Sequence, residues 1–145
     1  MREIKFRGKP IEDYGDVKWF YGNAVLNYDD KLAYIEADRQ GYVPVEWESI
    51  GQYTGLKDKN GREIYEGDVV KNHRRYSNEL LEVFWQEEVA DYSSDGVYWT
   101  KEVPGFRFKR INKGMMTVFV ANVDLEVIGN IYEDPELQEA SHASK

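Results

Sequence analysis

The stretch IGQYTGLKDKNGREIYEGDVV, residues 50–70, decides the fold of this chain because turn residues recur in it at close intervals between short apolar runs. Asn60-Gly61 is a strong hairpin pattern, since a type I′ turn needs positive φ at both central positions and these two residues tolerate it best. Asp58 precedes them and can accept a backbone hydrogen bond in a local Asx turn. The stretch therefore predicts a tight hairpin between two strands.

A second corner is predicted where Glu66-Gly67-Asp68 leads into the apolar residues 69–70. Three acids lie in or near this corner, namely Glu63, Glu66 and Asp68. An alternative interpretation is that two of them form a pair of carboxylates for acid and base catalysis. Acids in turns are ordinarily hydrated, so we interpret these three as a solvated rim and predict no catalytic residue here.

Two ligand-binding motifs also fail in this stretch. A P-loop has four residues between its glycines, whereas five separate Gly55 from Gly61. An EF-hand loop needs three alternating acids or amides before its glycine, and Asp58 and Asn60 supply only two. We therefore interpret the turn residues of the chain as structural, namely Gly51, Gly55, Asp58, Asn60, Gly61, Gly67, Asp68 and Gly129.

The composition of the whole chain limits the class of protein. Its 145 residues suffice for one domain that folds without cross-links. There is no cysteine, which excludes disulfides and thiolate metal sites and fits a reducing compartment. The first residues lack the apolar run of a signal peptide, and no segment has the length of a membrane span. We expect a soluble cytoplasmic protein without membrane association, cofactor or metal.

The charge distribution weighs against tight nucleic-acid binding. The net charge is −8, and residues 71–113 contain eight basic and seven acidic side chains. One run in this region interleaves rings with cations, as nucleic-acid-binding strands do. The candidate nucleic-acid-binding residues are Arg74, Arg75, Phe106, Arg107, Phe108, Lys109 and Arg110. The same alternation arises when phenylalanines face a core and cations face water, and we favour that interpretation.

The secondary structure is predicted to be mainly β. Aromatic residues number 21, with four Trp, eleven Tyr and six Phe, and such residues suit half-buried sheet surfaces. Apolar and polar residues alternate with the period of a strand around residues 4–6, 83–85, 106–108 and 123–127. Short strands between frequent turns are typical of a sandwich or barrel.

Two segments interrupt this strand pattern. Asp134 can cap a helix and Pro135 can occupy its first position, so a short helical turn is predicted before a frayed tail. Residues 46–49 are a second candidate for a short helix. Pro44 biases its neighbour toward an extended backbone, and we therefore predict strand there.

The histidine content argues against an enzyme. Only His73 and His142 are present, which is too few for a histidine metal site and leaves little for a Ser-His-acid triad. We predict a surface position for His73 and no catalytic activity.

Two distant segments of the chain are similar to each other. Residues 45–53 (VEWESIGQY) align without gaps with residues 123–131 (VDLEVIGNI), and both contain Ile-Gly followed by an amide. The similarity indicates either two equivalent strands that each finish at a glycine or a convergence of strand composition.

A family resemblance rests on four stretches: EIKFRGK at residues 3–9, WFYGN at 19–23, IGQYTGLKDKNGREIYEGDVV at 50–70 and LEVIGNIYEDPEL at 125–137. Together they resemble the YopX family of small phage and prophage proteins. The resemblance spans nearly the whole chain, although residues 71–124 match in pattern and not in motif. Members of the family often read Arg-Ala-Trp after Lys-Phe, whereas this chain reads Arg7-Gly8-Lys9.

The resemblance implies a β-rich fold with an SH3-like barrel, phage or prophage origin and self-association. It implies no assigned activity and no catalytic residue. We accordingly expect one domain over residues 1–132, with N-terminal strands in 1–47 and the barrel in 48–132. A helical turn and frayed tail are expected in 133–145.

Three functions from different classes follow. The first, which we favour, is a non-catalytic interaction protein in the cytoplasm of the bacterial host, forming a homo-oligomer or binding an unknown protein through exposed tyrosine and tryptophan. The second is a nucleic-acid-binding SH3-like barrel. The third is an enzyme of unknown reaction, which would need a deep pocket holding two carboxylates with perturbed pKa values.

Overall fold

The computed structural model describes residues 3–73, 79–86, 105–111 and 122–137. Ten β-strands and two short 3₁₀ turns lie within these ranges, so the predicted mainly β fold is confirmed. The chain divides into two compact units, Met1–Gly55 and Leu56–Lys145. Over the described ranges, no helix has the length and apolar character needed to cross a membrane.

The first unit is an antiparallel sheet. Its strands are β1 (Phe6–Gly8), β2 (Phe20–Asn27), β3 (Leu32–Ala37), β4 (Gly41–Val45) and β5 (Gly51–Lys57), in the order β4-β3-β2-β1-β5. Residues alternate between more and less buried along β2 and β3, so only one side of the sheet faces the core. The buried residues of that core are Phe20, Ala33, Ile35, Ala37, Val43 and Val45.

Residues 9–11, directly after β1, cover part of the edge of β4. The N–H of Ile11 donates to the carbonyl of Pro44 at 3.1 Å, and the N–H of Glu46 donates to the carbonyl of Lys9 at 2.9 Å. Open backbone groups on an edge strand invite pairing with other strands. At this position of β4 those groups are already hydrogen-bonded within the chain.

A 3₁₀ turn occupies Trp47–Ser49, so the strand predicted here is wrong. Both the N–H and the hydroxyl of Ser49 donate to the carbonyl of Glu46, at 3.0 and 2.6 Å. The same hydroxyl accepts the N–H of Lys9 at 2.8 Å. A serine that bonds to nearby backbone groups competes with strand pairing, and here this local preference outweighs the effect of the preceding proline.

The second unit contains a four-stranded sheet. β5, which includes Gly55, continues into this unit and is hydrogen-bonded to β6 (Glu63–Tyr65). The strands β7 (Asp68–Asn72), β8 (Glu79–Gln86), β9 (Gly105–Arg110) and β10 (Leu125–Asn130) then form a sheet in the order β10-β7-β8-β9. The core of this unit contains Ile64, Val70, Leu81, Val83, Leu125 and Val127.

Both sheets are open over the described residues. The SH3-like barrel therefore stays a prediction, as does the single domain over residues 1–132. The division between the two compact units falls inside β5 and not ahead of it.

The two similar segments do not form equivalent strands. Gly51 begins β5, whereas Gly129 lies near the end of β10, beside a bulge that follows Val127. Val123 was predicted to belong to the strand, yet it lies in the 3₁₀ turn Asn122–Asp124 and is 67% exposed. The interpretation of two strands that each finish at a glycine is therefore wrong.

The turn after β10 folds back onto the end of that strand. The N–H of Asn130 donates to Oδ2 of Asp134 at 3.2 Å, and the N–H of Asp134 donates to the carbonyl of Asn130 at 2.8 Å. A Cβ atom at Gly129 would lie 2.6 Å from that same Oδ2, so any larger residue here would have to displace the Asp134 side chain. Helical backbone begins at Glu136, and the tail after residue 137 lies outside the described ranges.

Candidate functional site

The side of β2, β3 and β4 that points away from the core is a candidate interaction surface. We define this outer face by the alternate residues of the three strands: Tyr21, Asn23, Val25, Asn27, Leu32, Tyr34, Glu36, Tyr42 and Pro44. Four of its large apolar side chains, those of Tyr21, Val25, Leu32 and Tyr42, are between 45% and 61% exposed. Contiguous exposed apolar surface of this kind is a common property of interaction sites.

The strand register places the apolar residues of the outer face side by side. Val25 lies opposite Tyr34, and Tyr34 lies opposite Pro44, so one uncharged row crosses all three strands. Glu36 lies opposite Asn23, whose side-chain amide donates to its Oε1 at 3.4 Å. The outer face thus has an apolar centre and a single carboxylate to one side.

The hairpin at residues 58–62 forms, but with a different turn from the one predicted. Gly61 has a φ of 83°, whereas the φ of Asn60 is not positive. The N–H of Gly61 donates to the carbonyl of Asp58 at 3.0 Å, and the N–H of Asp58 donates to the carbonyl of Arg62 at 2.8 Å, which closes a three-residue loop. The predicted type I′ turn is wrong, because a loop of this length needs only one left-handed residue, at its third position.

Asp58 anchors this loop through both carboxylate oxygens. Its Oδ1 accepts the N–H groups of Asn60 and Arg62, each at 2.9 Å, and the bond to Asn60 confirms the predicted Asx turn. Its Oδ2 accepts the N–H of Val127 in β10, also at 2.9 Å. The side chain is only 6% exposed, so the turn is joined to the sheet by a buried carboxylate.

The surroundings of Asp58 favour its charged form. Burial raises the pKa of this carboxyl, but the backbone N–H donors of Val127, Arg62 and Asn60, together with the Arg62 charge, hold the pKa below its ordinary value of 3.8. The charged carboxylate is therefore bound more strongly in the folded chain than in the unfolded chain.

Asp58 should accordingly make part of the stability sensitive to acid. Because its pKa is lower in the folded chain, its contribution is complete above the unfolded value of 3.8 and is lost as the pH falls through the folded value. Urea unfolding of the wild type and of Asp58→Asn, compared from about pH 7 to pH 3, should show the difference in unfolding free energy shrinking below about pH 4. A difference that stays constant over this range would contradict the assignment.

The second corner contains a buried acid, so the predicted solvated rim is wrong for Asp68. Asp68 is 1% exposed, and its Oδ2 accepts the N–H of Tyr65 at 2.8 Å. Glu63 is half-buried and accepts the Tyr65 hydroxyl at 2.9 Å. Gly67, within the same corner, donates its N–H to the carbonyl of Val83 at 2.8 Å. A carboxylate that accepts a hydrogen bond from a backbone N–H can be buried together with that donor. The sequence composition does not show which acids make such a bond.

His73 is half-buried and not a free surface residue. Its Nε2 lies 2.9 Å from Oε1 of Glu126, and its N–H donates to the carbonyl of Asp124 at 2.9 Å. In the part of the chain that the structure describes, no group of three or more His, Asp or Glu side chains is placed to hold a metal ion.

The predicted nucleic-acid-binding run lies in β9. Phe108 packs against the core of the second unit, and Phe106 contacts Trp85 of β8 edge to face, with ring centroids 4.8 Å apart. Both phenylalanines are half-buried, which fits packing better than base stacking. The cationic side chains of this prediction, those of Arg74, Arg75, Arg107, Lys109 and Arg110, lie outside the described part of the chain.

Comparison with known proteins gives a family and similar solved structures. A family model described as YopX protein matches residues 5–139. Among solved structures, the chain is similar to protein EF1440 from Enterococcus faecalis, at 24% identity and a TM-score of 0.42, over 95% of this chain and 99% of that chain. No curated protein matches the chain.

Proposed function

The chain belongs to the YopX family, and from this premise we propose that it is a non-catalytic interaction protein that self-associates. In this proposal it is encoded by a phage or prophage and acts in the cytoplasm of the bacterial host. It assembles with further copies of itself and binds another protein, and it carries out no reaction of its own.

The observation that supports this proposal best is where the exposed apolar side chains lie. Among the described residues, eleven large hydrophobic side chains are exposed, and eight of them belong to the first unit: Ile4, Ile11, Val17, Tyr21, Val25, Tyr28, Leu32 and Tyr42. Tyrosine is enriched in protein interfaces, where its ring is buried and its hydroxyl stays solvated. This grouping of exposed apolar side chains supports a binding role for the first unit.

Sedimentation velocity of the full chain tests the self-association. We expect the weight-average mass to rise above that of one chain as the protein concentration increases from about 1 µM to 500 µM. Over this range the chains of a weak complex change from mostly free to mostly associated. A single chain mass at every concentration would overturn this part of the proposal.

A nucleic-acid-binding role is the second candidate, supported by the alternation of rings and cations in β9. The packing of Phe108 against the core leaves fewer rings for base stacking, so we rank this role lower. Anisotropy of labelled single- and double-stranded oligonucleotides, titrated with the protein at low and then rising salt, separates the two roles. Binding that weakens steeply with salt would favour this second candidate.

A further inference from the structure

We propose that two copies of this chain meet through the outer face of β2, β3 and β4, around a two-fold axis that crosses the middle of β3. This inference rests on the proposed self-association and specifies its surface. The two sheets would pack face to face with Tyr34 of each copy at the centre.

The sheet of the first unit offers few other positions for a second copy. One side of the sheet is filled by the core around Ile35 and Val43. The edge of β4 is hydrogen-bonded to residues 9–11 near Pro44. The outer face is the part of this sheet that combines exposure with apolar side chains.

The charge on the outer face favours another copy of this chain over a nucleic acid. Glu36 is the single charged member of the nine residues, and none of them is a cation that could bind a phosphate. The rest of the chain is strongly acidic, with a net charge of −8, so two copies repel elsewhere on their surfaces. An almost uncharged face is where that repulsion is smallest.

The register fixes how two copies can meet without opposing their carboxylates. Leu32 and Glu36 lie on either side of Tyr34 along β3. An axis in the plane of the interface and perpendicular to the strands brings Tyr34 against Tyr34 and Val25 against Val25. The same rotation moves the two Glu36 side chains to opposite sides of the axis. An isologous contact of this kind needs only one self-complementary patch.

The size of the outer face sets the expected strength. With strands about 4.8 Å apart and about 3.4 Å per residue, its footprint is about 15 Å by 20 Å, or roughly 300 Å² per copy. Standard interfaces bury about 800 Å² per partner, so we expect a weak dimer with a Kd of about 10 to 100 µM.

A charge substitution at the centre of the outer face tests this arrangement against a matched control. Val25 is 47% exposed in the outer face, and Val17 is 45% exposed outside it. Val25→Glu should raise the dissociation constant at least about tenfold, because like charges oppose each other across the axis. Val17→Glu should change it by less than about twofold. Circular dichroism and urea unfolding of both variants verify that they are folded.

A mixture of variants tests the axis itself. Val25→Glu and Val25→Lys should each self-associate poorly, whereas an equimolar mixture of the two should recover dimer, because the axis places residue 25 of one copy opposite residue 25 of the other. If Val25→Glu does not fold, Tyr42→Glu, at a side chain that is 61% exposed, replaces it in the measurement of the dissociation constant. Tyr42 lies beside Glu36 and off the axis, so it does not replace residue 25 in the mixture.

The outcomes separate the inference from the proposed function. A wild-type chain that never self-associates would remove both. Equal dissociation constants for the wild type and Val25→Glu would leave the proposed self-association intact. They would show that the outer face is not the surface through which the copies meet. Self-association that is lost in Val25→Glu and not recovered in the mixture would overturn the two-fold arrangement.

Discussion

Asp58→Ala is expected to lower the free energy of unfolding by about 3 kcal/mol, although the residue lies in a surface turn. The substitution removes the acceptor for three backbone N–H groups at once, those of Asn60, Arg62 and Val127. Water can replace the carboxylate at the exposed turn. It cannot easily reach the N–H of Val127, whose side chain is 6% exposed. Urea unfolding at neutral pH measures the loss.

Asp13→Ala is the matched control for this prediction. Oδ1 of Asp13 accepts the N–H of Gly15 at 2.8 Å, which is the same local geometry in an exposed turn without the bond to a distant strand. We expect this control to lose less than about 1 kcal/mol. Equal losses in the two variants would show that Asp58 stabilises only its own turn.

Gly22→Ala is expected to cost about 3 kcal/mol or more through crowding inside the first sheet. A Cβ atom at this position of β2 would overlap the carbonyl oxygen of Glu36 in the neighbouring strand, and that oxygen belongs to the backbone. The φ of Gly22, 158°, is also rarely adopted by residues with a side chain. To relieve this overlap, β2 and β3 would have to move apart where they are hydrogen-bonded to each other. Thermal and urea unfolding both report the loss.

Gly41→Ala is the control that separates the free-energy cost of crowding from the cost of a left-handed backbone conformation. Gly41 has a φ of 72°, but no atom beyond its two chain neighbours lies within 4 Å of the position of its Cβ. This variant should lose about 1 to 2 kcal/mol from the left-handed conformation alone. A loss at Gly22 no larger than the loss at Gly41 would mean that the sheet adapts to the extra atom.

Alternation along the chain predicted strands well where one face of the strand is buried. The alternation around residues 83–85 and 106–108 falls within β8 and β9. The turns were harder to predict. Asn60-Gly61 indicated the place of the hairpin correctly, but the turn type depends on loop length, which the dipeptide does not specify. The 3₁₀ turn at Trp47–Ser49 depends on one serine hydroxyl that bonds to the backbone.

The candidate surface was predicted only in general terms, as exposed tyrosine and tryptophan. In β2, the apolar residues Tyr21 and Val25 alternate with the core residues Phe20, Ala24 and Leu26. When both faces of a strand carry apolar residues, its period does not tell which face is buried. The bond between Asp58 and Val127 was missed for a different reason, since 69 residues separate them and no local pattern links them.

The contact between the turn at residues 58–62 and β10 also affects how this protein resists polymerisation. The carbonyl of Leu125 accepts the N–H of Lys59 at 2.8 Å, and the N–H of Val127 is bound by Asp58. A foreign strand that docked on this flank of β10 would first have to displace both partners. The turn therefore protects this edge of β10 from pairing with a strand of another molecule, which is the step that begins fibril growth.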